Sequence, residues 1–168
     1  MIKKITYLLF LFFIFASCNP FAPGIEEGNT TYSSLLGDQK TIEGLFQNFK
    51  YAYTLKDTLL YGKLLAPDFT FMYRDYDKGI DVTWSRDEDV QITYRLFQNA
   101  QSCDLIWNNI FYTTGDSTYL NVVRFFNLSI TFNPNDITRV DGKVNLILSR
   151  EATGKPWQIK YWRDESNF

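Results

Sequence analysis

Histidine is missing from all 168 residues of the chain. That absence removes Ser-His-Asp and Cys-His nucleophile systems, zinc sites built on imidazole, haem held by His and any imidazole general base. Chemistry here has to run on carboxylates, tyrosine, lysine or arginine. Cysteine is scarce as well, occurring only as Cys18 and Cys103. The nine glycines are scattered, with no G-x-G-x-x-G and no G-K-[ST], so no phosphate-cradling loop is expected. With 17 basic against 19 acidic residues there is no cationic surplus, and no nucleic-acid partner is expected. No motif calls for a cofactor.

Aromatic side chains, by contrast, are abundant: 15 Phe, 11 Tyr and 4 Trp make up 18% of the chain. They suffice for a well-filled core or a lined cavity. The most specific feature lies at the start. Met1-Ile2-Lys3-Lys4 precedes an apolar run over residues 5–16 and then Ser17-Cys18, the order of a charged n-region, an h-region and a small-residue cleavage site. Twelve helical residues rise about 18 Å, short of the roughly 20 residues that a bilayer core requires. The run therefore reads as an export signal rather than a spanning helix. Phe15-Ala16-Ser17-Cys18 resembles the lipobox of bacterial lipoproteins, with Phe15 where leucine is commonest. The resemblance implies removal of residues 1–17, lipidation of Cys18 and a place in the bacterial cell envelope, at the outer membrane in a diderm. Acyl chains contribute about 0.8 kcal/mol per buried methylene, so a multiply acylated cysteine anchors stably. Loss of the signal takes Lys3 and Lys4 but no acid, moving the net charge from −2 to −4. With Cys18 acylated, Cys103 has no disulfide partner within the chain.

Residues 18–37 include Pro20, Pro23, Gly24, Gly28 and Gly37 among Asn, Ser and Thr, a composition that buries little and reads as a flexible tether. Residues 38–168 amount to one domain. Ile42, Leu45, Phe46, Phe49, Ala52 and Tyr53 share a helical face, predicting a long amphipathic helix capped near Asp38 or Thr41. Leu60, Tyr61, Leu64 and Leu65 predict a short second helix stopped by Pro67, followed by extended chain over residues 69–73. Asp75, Asp77 and Asp81 invite a calcium reading. It fails, because an EF-hand needs glycine where Ile80 stands and a bidentate glutamate where Arg86 stands. The segment reads as a solvated acidic loop, and no metal is expected. Ser85-Arg86-Asp87-Glu88 has the form of a capping box, and Val90, Tyr94, Leu96 and Phe97 suggest a third helix to about Asn99. Segments 103–113, 119–132, 144–150 and 157–163 are rich in β-branched and aromatic residues and read as strands. Turn chemistry separates them at Thr114-Gly115-Asp116-Ser117, Asn133-Pro134-Asn135-Asp136, Asp141-Gly142 and Thr153-Gly154-Lys155-Pro156.

This element order resembles the nuclear transport factor 2-like superfamily, which includes ketosteroid isomerase and many polyketide cyclases. The likeness rests on Ala52-Tyr53-Thr54-Leu55-Lys56-Asp57, Leu64-Leu65-Ala66-Pro67-Asp68-Phe69 and Trp157-Gln158-Ile159-Lys160-Tyr161-Trp162-Arg163-Asp164. It implies an α+β, cystatin-like cone: a curved antiparallel sheet wrapped around the long N-terminal helix, with two shorter helices and, in many members, a pocket at the open end. Setting Asp57 and Asp68 on the family's corresponding acids places Phe49 at the isomerase's oxyanion tyrosine and Tyr73 at its general-base aspartate. Both functional side chains are absent, and a tyrosine with a pKa near 10 is a poor base at neutral pH. A slipped alignment would bring Tyr51, Tyr53 or Asp75 to those positions instead. No catalytic residue is assigned.

Because the family's cone is lined by helix one, strand one and the long strands, the candidate ligand-binding residues are Phe49, Tyr53, Tyr73, Trp107 and Arg124. Two functions remain. One is a membrane-anchored envelope lipoprotein whose non-catalytic domain binds a small apolar ligand or a partner protein. The alternative is an envelope enzyme of isomerase, dehydratase or cyclase type using carboxylate and tyrosine. A buried Asp with a raised pKa beside a tyrosine hydroxyl in the cavity favours the enzyme, and an all-apolar or collapsed cavity favours the binder. The anchor is testable on its own: Cys18→Ser should move the protein out of the membrane fraction and abolish lipid mass on the N-terminal peptide. An unmodified Cys18 in a membrane-free wild-type fraction contradicts the lipoprotein reading.

Overall fold

The computed structural model describes residues 35–167; the export signal, Cys18 and most of the tether lie outside the described residues. Among those described, no helix is long and apolar enough to cross a membrane. Helix α1 spans Ile42–Thr54, and the Thr41 side chain caps it by accepting from the Gly44 N–H at 3.0 Å. Its apolar stripe buries Leu45, Phe46, Phe49, Ala52 and Tyr53. A single left-handed residue, Lys56 at φ 53°, turns the chain into α2, Thr58–Leu64. Asp57 caps α2 by accepting from the Leu60 N–H at 2.8 Å. The helix ends before the expected proline: Leu65 already opens strand β1, Leu65–Asp75, and Pro67 lies inside it. Proline drives the residue before it to extended backbone, so its effect is felt upstream of its own ring.

Strand β2, Ile80–Ser85, follows after a tight turn, and then α3, Arg86–Asn99. Strands β3, Ser102–Gly115, β4, Tyr119–Asn133, β5, Asp136–Ser149, and β6, Gln158–Asn167, complete the chain. The six strands form one curved, unclosed sheet in the order β2-β1-β6-β5-β4-β3. β6 inserts beside β1 and runs parallel to it, while every other pair is antiparallel. The expected antiparallel sheet is therefore mixed. Alternation along β4 turns Val122, Arg124, Phe126 and Ile130 inward, as a period of two requires. Phe46 and Phe49 meet Trp107 edge to face at 4.8 and 5.4 Å, and Phe49 meets Trp162 at 5.5 Å. Buried aromatics of this kind contribute about 1.5–3 kcal/mol each.

Three further expectations are corrected. The supposed acidic loop is a β-hairpin in which Thr70 to Asp75 pair with Ser85 to Ile80. Gly79 supplies its left-handed residue at φ 67°, and Asp75 accepts from the Lys78 backbone N–H at 3.0 Å and from its Nζ at 2.8 Å. Asp141-Gly142 is no turn but lies within β5, paired to Asn127 and Phe126; cross-strand partners override local turn propensity there. The inner face of α3 is Asp89, Thr93 and Phe97, whereas Tyr94 is 46% exposed.

Gly37, the residue before Asp38, is tied to α1. Buried Asn48 holds Gly37 with both halves of its amide, accepting from the Gly37 N–H at 2.7 Å and donating to its carbonyl at 3.1 Å. A buried amide that loses its partners costs about 1–3 kcal/mol. Asn48→Ala should therefore lower stability by that amount in urea unfolding. Removing residues 1–37 should cost a similar amount, and the two changes should be less than additive because they remove the same bonds. Full additivity would show that the Gly37 contact contributes nothing.

Candidate functional site

Helix α1 enters the cone without filling it, leaving a cavity of about 370 Å³ to which every helix and every strand contributes. This lies within the range of small-molecule pockets. Eight of its eighteen lining residues are aromatic. Phe49 and Tyr53 come from α1, Trp107 and Phe126 from β3 and β4, and Trp162 from β6. Phe71 of β1 stacks on Trp84 of β2, with ring centroids 4.3 Å apart and an interplanar angle of 9°. Ile92 of α3, 46% exposed, stands where the cavity meets solvent. The indole N–H groups of Trp107 and Trp162 are buried without an oxygen partner. Both rings pack edge-on against phenyl rings, the setting in which N–H···π contact substitutes.

One end of this apolar chamber is polar. Asp89, only 4% exposed, projects from the first full turn of α3. The Tyr61 hydroxyl donates to its Oδ2 at 2.5 Å, and the Trp84 Nε1–H donates to its Oδ1 at 2.7 Å. One turn further along α3, the Thr93 hydroxyl reaches the phenols of both Tyr53 and Tyr61. Burial raises the Asp89 carboxyl above the ordinary carboxylate range, and the donors from Trp84 and Tyr61 pull the other way. Burial, followed by the neighbouring charge of Asp89, holds both phenols far above the ordinary tyrosine value. At neutral pH the two tyrosines are thus fixed neutral hydroxyls. Asp164 of β6 also lines the cavity, and its charge reaches Tyr53. Among the described residues no lysine or arginine lines it. Among the described residues no cluster of acids or cysteines converges to hold a metal ion.

Of the candidates named from sequence, Phe49, Tyr53 and Trp107 line the cavity, and Tyr73 and Arg124 do not. Tyr73 packs behind Trp84 with centroids 5.6 Å apart. Arg124 lies under the start of α1: its Nη1 donates to Glu43 at 2.9 Å, its Nε donates to the Asn108 carbonyl at 2.6 Å, and its guanidinium stands 4.6 Å from the Phe46 ring centre. It fastens α1 to the sheet. Tyr51 is not among the lining residues, and Asp75 sits at the hairpin turn. Sequence reasoning missed Asp89, Thr93 and Trp84. The spacing Asp89, Thr93, Phe97 was the available signal, one stripe of α3 at intervals of four, but two polar members hid it from a search for apolar periodicity.

No protein-family model matches the chain, and none of the curated proteins matches it in sequence. Solved structures do match in shape. A conserved protein from Planctomyces limnophilus superposes with a TM-score of 0.64 at 11% identity, covering 82% of this chain and 98% of its own. A protein from Novosphingobium aromaticivorans assigned as a scytalone dehydratase gives 0.64 at 13% identity over 86% of this chain and 89% of that one. A third, from Streptomyces avermitilis and assigned as a dehydratase of the nuclear transport factor 2-like family, gives 0.59 at 11% identity over 75% and 94%. At such identities the likeness is one of fold.

The raised Asp89 pKa has a definite sign in stability. The folded state keeps the proton where the unfolded chain has released it, so this contribution is complete below the ordinary carboxylate pKa and is lost as pH rises through the folded value. The stability of the wild type relative to Asp89→Asn should accordingly fall in urea unfolding as the pH rises above the ordinary carboxylate range. A rise instead would mean that the two donors stabilise the anion more than burial penalises it.

Proposed function

On the premise that the chain folds as a nuclear transport factor 2-like domain, we propose that it is a membrane-tethered binding module of the bacterial envelope, taking a small, largely apolar organic molecule into the cone. The observation that carries this reading is the cavity itself, 370 Å³ in volume and walled by aromatic rings, with one polar end to orient a ligand. The tether rests on the pattern of Lys3, Lys4, the apolar run and Cys18. Its length of about 20 residues, as coil, holds the domain roughly 25 Å from the bilayer.

A second reading has one specific observation in its favour. Asp89 beside the Tyr61 hydroxyl inside the cavity is the arrangement that suits an acid–base enzyme of isomerase, dehydratase or cyclase type. Binding remains the leading reading because both carboxylate oxygens of Asp89 are already occupied as acceptors by Tyr61 and Trp84, so the acid is engaged in holding the rim of the structure together. No lysine, arginine or histidine stands by to stabilise a developing oxyanion.

Three of the four tryptophans line the cavity and report on its occupancy. A neutral naphthalene-sized probe should quench their fluorescence with one-to-one stoichiometry. Leu128→Trp, which fills the chamber from a half-exposed lining position, should abolish the response while the fold is kept. Quenching that persists in Leu128→Trp, or none in the wild type, contradicts a cavity-bound ligand. Conversion of the probe or of a hydroxylated relative, lost in Asp89→Asn, would move the assignment to the enzyme.

A further inference from the structure

We propose that the ligand of this cavity is an organic cation, an amine or quaternary ammonium group on an apolar body, with its positive head against Asp89. The inference deepens the binding reading and depends on it. Asp89 is 4% exposed and, among the described residues, takes part in no ion pair. Its hydrogen-bond partners, the Tyr61 hydroxyl and the Trp84 indole, are both uncharged. A carboxylate removed from water without a counter-charge is among the costliest groups to bury. The protein places this one in the wall of a chamber large enough for a ligand and supplies no cation of its own there.

The rest of the wall selects the same sign of charge. Ring faces carry the negative part of the aromatic quadrupole and attract a cation within about 6 Å, most strongly where water is excluded. Tyr61 and Trp84 donate to Asp89 directly, Tyr53 packs against Tyr61 and Phe71 stacks on Trp84, and all four rings line the cavity. Asp164 adds a second acid to the lining. An anionic ligand would meet two carboxylates and no basic side chain, which excludes carboxylates, phosphates and sulfates from the ligand class. A neutral molecule would fill the space but leave Asp89 to take up a proton. A cation supplies the missing charge.

Binding of a permanently charged cation must then be linked to the ionisation of Asp89. The titratable groups around it are Tyr61 from α2, Tyr53 from α1, Cys103 from β3, Asp164 from β6 and, behind Trp84, Tyr73 from β1. On α3 itself, Arg86 turns away to the Gly62 carbonyl at 2.7 Å and to Asp87. Tyr53, Tyr61 and Cys103 are all held above their ordinary values by burial, so between about pH 4 and 8 the carboxylates alone change charge.

The test compares benzyltrimethylammonium with its uncharged isostere neopentylbenzene on the full chain, by calorimetry across that pH interval. The two differ only in nitrogen against carbon at the branched centre. The expected result is about ten-fold tighter binding of the cation at the alkaline end, a preference that shrinks as the pH falls and Asp89 takes up its proton. Asp89→Asn should erase the preference while neopentylbenzene still binds. Because neither probe titrates, the wild-type pH profile carries the test even where that variant fails to fold. Equal or tighter binding of neopentylbenzene at every pH overturns the cation assignment and leaves the binding module standing. A cation preference that Asp89→Asn leaves intact and Asp164→Asn abolishes overturns the role given to Asp89. Binding of neither probe overturns the cation assignment and counts against the binding reading beneath it.

Discussion

Asp89 joins three separate parts of the chain at one point: it belongs to α3, it accepts from Tyr61 of α2 and it accepts from Trp84 of β2. The open end of the cone is arranged around that junction. Trp84 is fixed by Asp89 on its edge and by Phe71 on its face, so the β1–β2 hairpin is pinned against α3. Tyr61 is fully buried, and its position sets where α2 lies against α1. Phe49 and Trp107 wall the same cavity, and Phe46 backs Trp107 edge to face. Breaking a buried polar junction of this kind costs more than any single contact in it, since each partner is left unsatisfied in a dry setting.

What the sequence made legible follows from how each signal arises. The α1 stripe is visible because Leu45, Phe46, Phe49, Ala52 and Tyr53 are apolar and buried together. The start of α3 is visible because the Glu88 carboxylate accepts from the Ser85 N–H at 2.8 Å, a local bond between near neighbours. β2 was not legible, since its six residues are all exposed or half-buried and its order comes from pairing with β1. The inner face of α3 was hidden for a more instructive reason. Apolar periodicity finds cores, and this face carries Asp89 and Thr93 where a core would carry leucine. The residues that break the pattern are those that form the polar end of the cavity.

Phe49 and Tyr73 stand where the sequence resemblance to ketosteroid isomerase set a tyrosine and an aspartate; Phe49 lines the cavity as a bare ring, and Tyr73 packs behind Trp84, outside the lining. The buried polar junction of this chain is built on α2, β2 and α3, from Tyr61, Trp84 and Asp89. Likeness at 11–13% identity is one of fold, so function has to be argued from Asp89 and its surroundings.

The central claim is that the cavity ends in a buried acid that no base compensates. Its most direct test is the titration of the Asp89 carboxyl carbon by carbon-13 NMR in the ligand-free protein, assigned through Asp89→Asn. The account predicts a midpoint above the ordinary carboxylate range, with the Tyr61 and Trp84 resonances moving on the same curve. A midpoint at or below that range would contradict it, because the two neutral donors would then be enough to satisfy the charge.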